Sequence, residues 1–190
     1  MNRVSAILLA GGRSSRMGRD KAGLPFQGMT LLEWQVQKLQ GLGIKDIMLS
    51  GPRREAPGVR VVPDEFPGRG PLGGLHACMK AARCPDCLVL SVDVPLAPPP
   101  ALMALVRAHR ASGAAATLLR HGGKWEPLVG VYRSGLFRRA EPILRGENTA
   151  VRRLLDETGF EVLDWPGDEG LFLNCNTPED YEQLCQRAGR

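Results

Sequence analysis

Aromatic residues make up only 5% of this 190-residue chain, and there are just three histidines. Proteins that bind nucleic acid usually interleave aromatics with basic charge gathered on one face. The net charge of +5, carried mostly by arginine, therefore points to small anionic substrates such as phosphates, with no nucleic acid expected. No apolar run approaches the ~18 residues of a membrane span, so no membrane association is expected. The opening "MNRVSAILLAGG" superficially suggests a signal peptide. Its apolar part is too short, however, and Gly-Gly-Arg is a poor exit, so it reads as a first strand. The five cysteines are too few and odd in number for a disulfide framework, which favours a reducing compartment and a cytoplasmic protein. "CPDC" (Cys84–Cys87) precedes a strand instead of opening a helix, and it lacks a second ligand pair for zinc, so ordinary half-buried cysteines suffice. His76, His109 and His121 show no ligand spacing, and solvated or helix-packing roles account for them.

What is present alternates. "VSAILLA" (Val4–Ala10) is a near-continuous apolar run, the pattern of a strand buried on both faces. Residues 30–43 place Leu31 or Leu32, Val36, Leu39 and Leu42 on one helical face before Gly43. Strands are predicted at 46–51, 59–64, 87–93, 114–121, 127–133, 160–165 and 171–176. Helices are predicted at 73–83, 98–113, 148–159 and 177–188. The last has Thr177 at its cap, Pro178 in the first turn, and Glu179 and Asp180 where the helix dipole favours anions. This order predicts one α/β domain over residues 1–190, a mostly parallel Rossmann-like sheet with helices on both faces in three layers. Residues 122–170 alternate less cleanly and could hold an inserted subdomain or an antiparallel edge.

Ligands of an open parallel sheet bind at the carboxyl ends of its strands, where the topology switches. The first strand runs into "LLAGGRSSRMGRDK" (Leu8–Lys21). Glycines here let backbone approach a ligand, and successive N–H groups can form an anion-binding nest. Arg16 and Lys21 add charge where a polyphosphate would sit. The loop is neither a Walker A motif nor a dinucleotide fingerprint. "GRGPLG" (Gly68–Gly73) satisfies GxGxxG formally, but Pro71 removes an N–H that a phosphate cradle would use. Asp93, at the carboxyl end of "CLVLSVD", suits a hard cation or equally a turn. Asp64 ends "VRVVPD" at the same edge. Asn174 and Asn176, two apart on a predicted strand, share a face and offer uncharged donors and acceptors, unless one of them caps the last helix.

The segment Leu9–Lys21 resembles the motif LAGGxSxRMGxDK of the molybdenum cofactor guanylyltransferases, which attach GMP to molybdopterin. Leu9, Ala10, Gly11, Gly12, Ser14, Arg16, Met17, Gly18, Asp20 and Lys21 fill all ten specified positions. The likeness recurs at "GPLGGL" (Gly70–Leu75), at "DVP" (Asp93–Pro95) and at "NCNTPED" (Asn174–Asp180), and is loose only over residues 96–171. It implies the nucleotidyltransferase form of the fold, with GTP and molybdopterin as substrates and Mg²⁺ as cofactor. Proteins that deliver or accept the cofactor are implied partners. Leu9, Ala10, Gly11, Gly12, Lys21 and Asp64 would bind the nucleotide, and Gly70, Pro71 and Leu72 would lie near its base. Asp93 would hold the metal, and Arg16 and Lys21 would stabilise charge on the α-phosphate and the leaving pyrophosphate. Asn174 and Asn176 would serve the molybdopterin side. Ser50 stands where the family often has an asparagine contacting guanine. The related cytidylyltransferases look like LAAG and lack a GPL loop, which favours guanine. Sugar-phosphate nucleotidyltransferases share the first loop more loosely and carry longer carboxyl-terminal parts. A nucleotide-binding accessory protein without turnover is the reading from outside the enzymes.

Overall fold

The computed structural model describes residues 3–10, 20–51 and 56–189. Nine strands are described: β1 (Val4–Leu9), β2 (Pro25–Phe26), β3 (Met29–Thr30), β4 (Asp46–Ser50), β5 (Arg60–Val62), β6 (Asp86–Ser91), β7 (Ala116–His121), β8 (Lys124–Arg133) and β9 (Glu161–Asp164). Six α-helices accompany them: α1 (Leu31–Gly41), α2 (Pro71–Ala81), α3 (Pro99–Ser112), α4 (Phe137–Arg145), α5 (Val151–Thr158) and α6 (Pro178–Ala188). Seven strands form one sheet in the order β5-β4-β1-β6-β8-β7-β9. β8 runs antiparallel to both its neighbours, and the other pairings are parallel.

The continuous apolar run of β1 is explained by its central place. Val4, Ala6 and Leu8 point into a core shared with α1, α3 and α6, while Ile7 and Leu9 point into a second core under α2, α4 and α5. Helices thus cover both faces, giving the three layers expected. Thr30 and Glu33 form a reciprocal capping box at the start of α1, and Thr177 and Asp180 do the same for α6.

Three departures from the sequence reading have local causes. Residues 171–176 are not a strand: a 3₁₀ turn spans Glu169–Phe172 and irregular chain follows. Helix α4 went unpredicted because Pro142 and three arginines obscure its buried positions, Ala140, Ile143 and Leu144, which keep helical spacing. The irregular 122–170 region contains an antiparallel strand, but β8 is internal to the sheet, not an edge.

His76, on the buried face of α2, packs edge-on to the rings of Phe66 (5.2 Å) and Phe137 (6.0 Å). Neither ring nitrogen has a hydrogen-bond partner among the described residues. Burial, the largest influence, holds its pKa below that of a free histidine. The unfolded chain then binds the proton more readily than the native state does. Stability from this residue is present above the unfolded pKa of about 6.5 and falls as the pH drops through it. Thermal melts between pH 7 and 5 are expected to show a steeper acid loss for the wild type than for His76→Leu. Parallel curves would mean that His76 does not titrate with folding.

Candidate active site

The parallel register aligns the carboxyl ends of three strands, because Leu9 pairs with both Ser50 and Ser91. β1 leads to β4 on one side and β6 on the other, so the crevice expected at a topological switch lies here. Just past β6 the chain turns through Asp93, which is two residues beyond the strand instead of its last residue. Helix α1 braces that turn. Gln35 Nε2 donates to the carbonyls of Ser91 (2.9 Å) and Val94 (3.1 Å), and Trp34 Nε1 donates to that of Pro95 (2.9 Å). Lys38 Nζ also reaches the Pro95 carbonyl, and burial lowers its pKa to about 7. From the far side, the backbone N–H of Cys175 donates to the Asp93 carbonyl at 2.8 Å.

With its backbone so fixed, Asp93 presents its two carboxylate oxygens differently. Oδ2 lies 3.7 Å from Lys21 Nζ, whereas Oδ1 is buried without a hydrogen-bond partner among the described residues. A buried carboxylate oxygen left unpaired is costly, and a hard cation would satisfy it. Among the described residues no cluster of three or more His, Cys, Asp or Glu could chelate a metal. The donor set therefore suits an ion such as Mg²⁺, which takes one or two carboxylates and fills its remaining positions with phosphate oxygens and water.

Lys21 opens a 3₁₀ turn capped by Asp20, whose side chain accepts from Ala22 N at 3.3 Å. Its Nζ donates to Asn176 Oδ1 at 2.7 Å. Lys21, Asp93 and Asn176, from three distant segments, thus meet at one point. Asn176 is exposed and Asn174 half-buried, and neither caps α6, since Thr177 does. They share a cleft, although the strand that was to place them on one face is absent.

The base-side candidates gather around the start of α2. Gly70 holds φ +69° at its N-cap and Pro71 is the first helical residue, so "GPL" is a helix start and not a free loop. The carboxylate of Asp64 accepts from Phe66 N at 2.8 Å and leans on the same helical turn: a methyl at Gly73 would stand 2.8 Å from Asp64 Oδ2. The side chains of Leu9, Ser50 and Leu72 are buried in the interior, which leaves their backbone as the part able to face a nucleotide. Ala10 is half-buried and donates its N–H to the Ser50 carbonyl at 3.2 Å. Gly11, Gly12 and Arg16 lie outside the described residues.

A cleft of about 520 Å³ adjoins this centre, bounded by the β7–β8 hairpin and residues 169–180. Asn174 and Asn176 line it together with His121, Lys124, Glu126 and Glu169. Sequence reading passed over Glu126 and set His121 aside. A hairpin signal was available, because His121 and Glu126 sit two positions apart across a tight Gly-Gly turn and so project to the same side. The cysteines stay out of the chemistry. All five are free, Cys78 and Cys87 are buried, and burial pushes the Cys78 thiol up to about 12.

With this geometry in view, the profile of the MobA-like NTP transferase domain matches residues 6–162. The chain belongs to that family. It is a nucleotidyltransferase with the expected mostly parallel α/β sheet. A molybdenum cofactor guanylyltransferase of Pseudomonas aeruginosa is 35% identical, the alignment covering 92% of this chain and 91% of that one. A probable molybdenum cofactor guanylyltransferase of Carboxydothermus hydrogenoformans is 30% identical over 97% of this chain and 96% of its own. In structure, the molybdopterin-guanine dinucleotide biosynthesis protein A of Archaeoglobus fulgidus superimposes with a TM-score of 0.83. It covers 97% of this chain and 98% of its own at 21% identity, a likeness of fold.

Proposed function

We propose that the chain, acting as one nucleotidyltransferase domain, transfers GMP from GTP to the terminal phosphate of molybdopterin with Mg²⁺ as the metal. The observation that carries this reading is the unpartnered, buried Oδ1 of Asp93 beside Lys21 at the carboxyl edge of the sheet. The full-length kinship with guanylyltransferases supports the choice of nucleotide and acceptor. So do the LAGG and GPL motifs at Leu9–Gly12 and Gly70–Leu72.

A phosphate oxygen of the acceptor attacks the α-phosphorus of GTP, the bond from that phosphorus to the β-phosphate oxygen breaks, and pyrophosphate leaves. A phosphate monoester has a second pKa of about 6 and is largely dianionic at neutral pH, so the nucleophile needs no general base. The difficulty is bringing two anions together, and the remedy is positioning and electrostatics. Asp93 holds the metal, which when bound neutralises charge on the phosphates. Lys21 carries a positive charge to the same point, and Asn176 fixes its ammonium in place. Arg16 and the Gly11–Gly12 backbone are assigned to the phosphates on sequence grounds. Asp64 and the first turn of α2 border the base.

Thermal unfolding with Mg²⁺ and each of GTP, CTP, ATP and UTP tests the nucleotide. A ligand at a hundred times its Kd adds about 2.7 kcal/mol, a shift of several degrees at this size. GTP alone should give it, and incubation with molybdopterin should release pyrophosphate. A shift with CTP alone would move the chain to cytidylyl transfer. GTP binding without turnover would favour an accessory role.

A further inference from the structure

The cleft beside Lys21 is lined by carboxylates more than by cations. Glu126, Glu169 and Asp180 line it against Lys124, and Lys21 adjoins it through its hydrogen bond to Asn176. An acceptor's phosphate belongs at Lys21, and the part of the acceptor lying along the cleft should be neutral and rich in hydrogen-bond donors. The three carboxylates are not equivalent. Asp180 is committed to the α6 cap, accepting from the N–H groups of Asn176 and Thr177 at 2.9 Å each. Glu169 is exposed at the start of a 3₁₀ turn. Glu126 is half-buried, and its backbone is held by pairing of β8 with Leu119 of β7.

No hydrogen bond to Glu126 forms among the described residues. The nearest base, His121 Nε2, stops 3.4 Å from its Oε1. The imidazole stacks on Phe172, 4.7 Å between centroids and 21° from parallel, and its Nε2 has no well-aligned hydrogen bond among the described residues. Burial, the largest influence, raises the pKa of Glu126; His121 opposes that rise and the charge of nearby Asp93 adds to it. A carboxylate beside a cleft whose nearest partner is one long contact at 3.4 Å keeps lone pairs free for a donor from a ligand.

We propose that Glu126 recognises the acceptor's ring system, taking hydrogen bonds from the N3–H and 2-amino groups of a pterin's aminopyrimidinone edge. The inference rests on the molybdopterin reading above and deepens it. A carboxylate accepts two parallel N–H donors from such an amidine-like edge as it does from a guanidinium. A 2,4-dioxo ring lacks the second donor and turns an oxygen toward Glu126, so the same contact discriminates between ring types.

The test uses the intrinsic fluorescence of pterin and of lumazine, its 2,4-dioxo counterpart, titrated with wild-type protein, Glu126→Gln and Glu126→Asp. Wild type should bind pterin at least tenfold more tightly than lumazine, and Glu126→Gln should lose that preference, with Glu126→Asp recovering part of it. In turnover with GTP and molybdopterin, Glu126→Gln should raise the acceptor KM by about 10–100-fold, as loss of charge-assisted hydrogen bonds implies. Its kcat and GTP-induced thermal shift should stay near wild type. An unchanged pterin preference overturns the proposal, as does a KM rise matched by an equal loss of the GTP shift. If wild type makes no guanine dinucleotide but shows a Glu126-dependent pterin preference, the guanylyl-transfer reading falls and this one stands.

Discussion

Asp93→Ala is expected to cut nucleotidyl transfer by about 10³-fold or more while leaving the fold intact, since one electrostatic group at a reacting phosphate accounts for roughly that much. The protein has little structural use for this side chain. Among the described residues its Oδ1 has no hydrogen-bond partner and its Oδ2 has Lys21, at 3.7 Å. Removing a half-buried, half-satisfied carboxylate costs the fold little, so the unliganded variant should melt close to wild type. A residue whose loss costs activity and not stability is one kept for function. The Mg²⁺-dependent part of the GTP thermal shift should vanish with it. Wild-type turnover in this variant would remove the metal assignment, and a large drop in Tm would make Asp93 a structural residue.

Gly74→Ala should be the most damaging single-methyl change in the nucleotide half of the molecule. Glycine to alanine inside a helix ordinarily stabilises, by up to about 1 kcal/mol. Here the sign reverses, because the added Cβ would stand 1.9 Å from Ser50 Oγ, 2.9 Å from Ser50 Cβ and 3.4 Å from Leu9 Cδ2. Rotating the serine hydroxyl away clears only the first of these. The helix must lift off β4 and β1, an overpacking cost of about 1–3 kcal/mol, or roughly 2–12 °C in Tm. Ser50→Gly in the Gly74→Ala background should restore most of the loss, and that coupling is the diagnostic, since two independent sites would simply add. The same displacement carries Gly70–Leu72 and the turn that Asp64 leans on, so GTP should bind more weakly as well. A neutral Gly74→Ala would show that α2 has slack against the sheet.

The same contact defines the surroundings of Ser50. In sequence it stands where the related enzymes often have an asparagine, and nothing local says what its hydroxyl meets. Only the approach of α2 shows its hydroxyl turned under a glycine. Leu72 is a similar case. Its neighbours Gly70 and Pro71 mark a helix start, but which way the third residue points depends on where the sheet lies.

Sequence alone determined the features that chain-local chemistry dictates. A continuous apolar run marked β1 as a strand buried on both faces, one-sided apolar spacing marked α1, and Thr177 marked the start of α6. The glycine-rich basic loop, matched at every specified position, identified the kind of enzyme before any contact was known. Tertiary structure alone decided what depends on distant segments meeting. Lys21 and Asn176 are 155 positions apart and touch because β1 and β6 lie side by side and the 169–180 segment folds back across their ends. The orphaned oxygen of Asp93, the bracing of its turn by Gln35, and the loosely paired Glu126 are all properties of such meetings. Hydrophobic periodicity specifies which face of an element is buried, but it carries no information about which polar groups are left without a partner once the faces close. Those leftover groups are where the proposed reaction places its metal and its substrates.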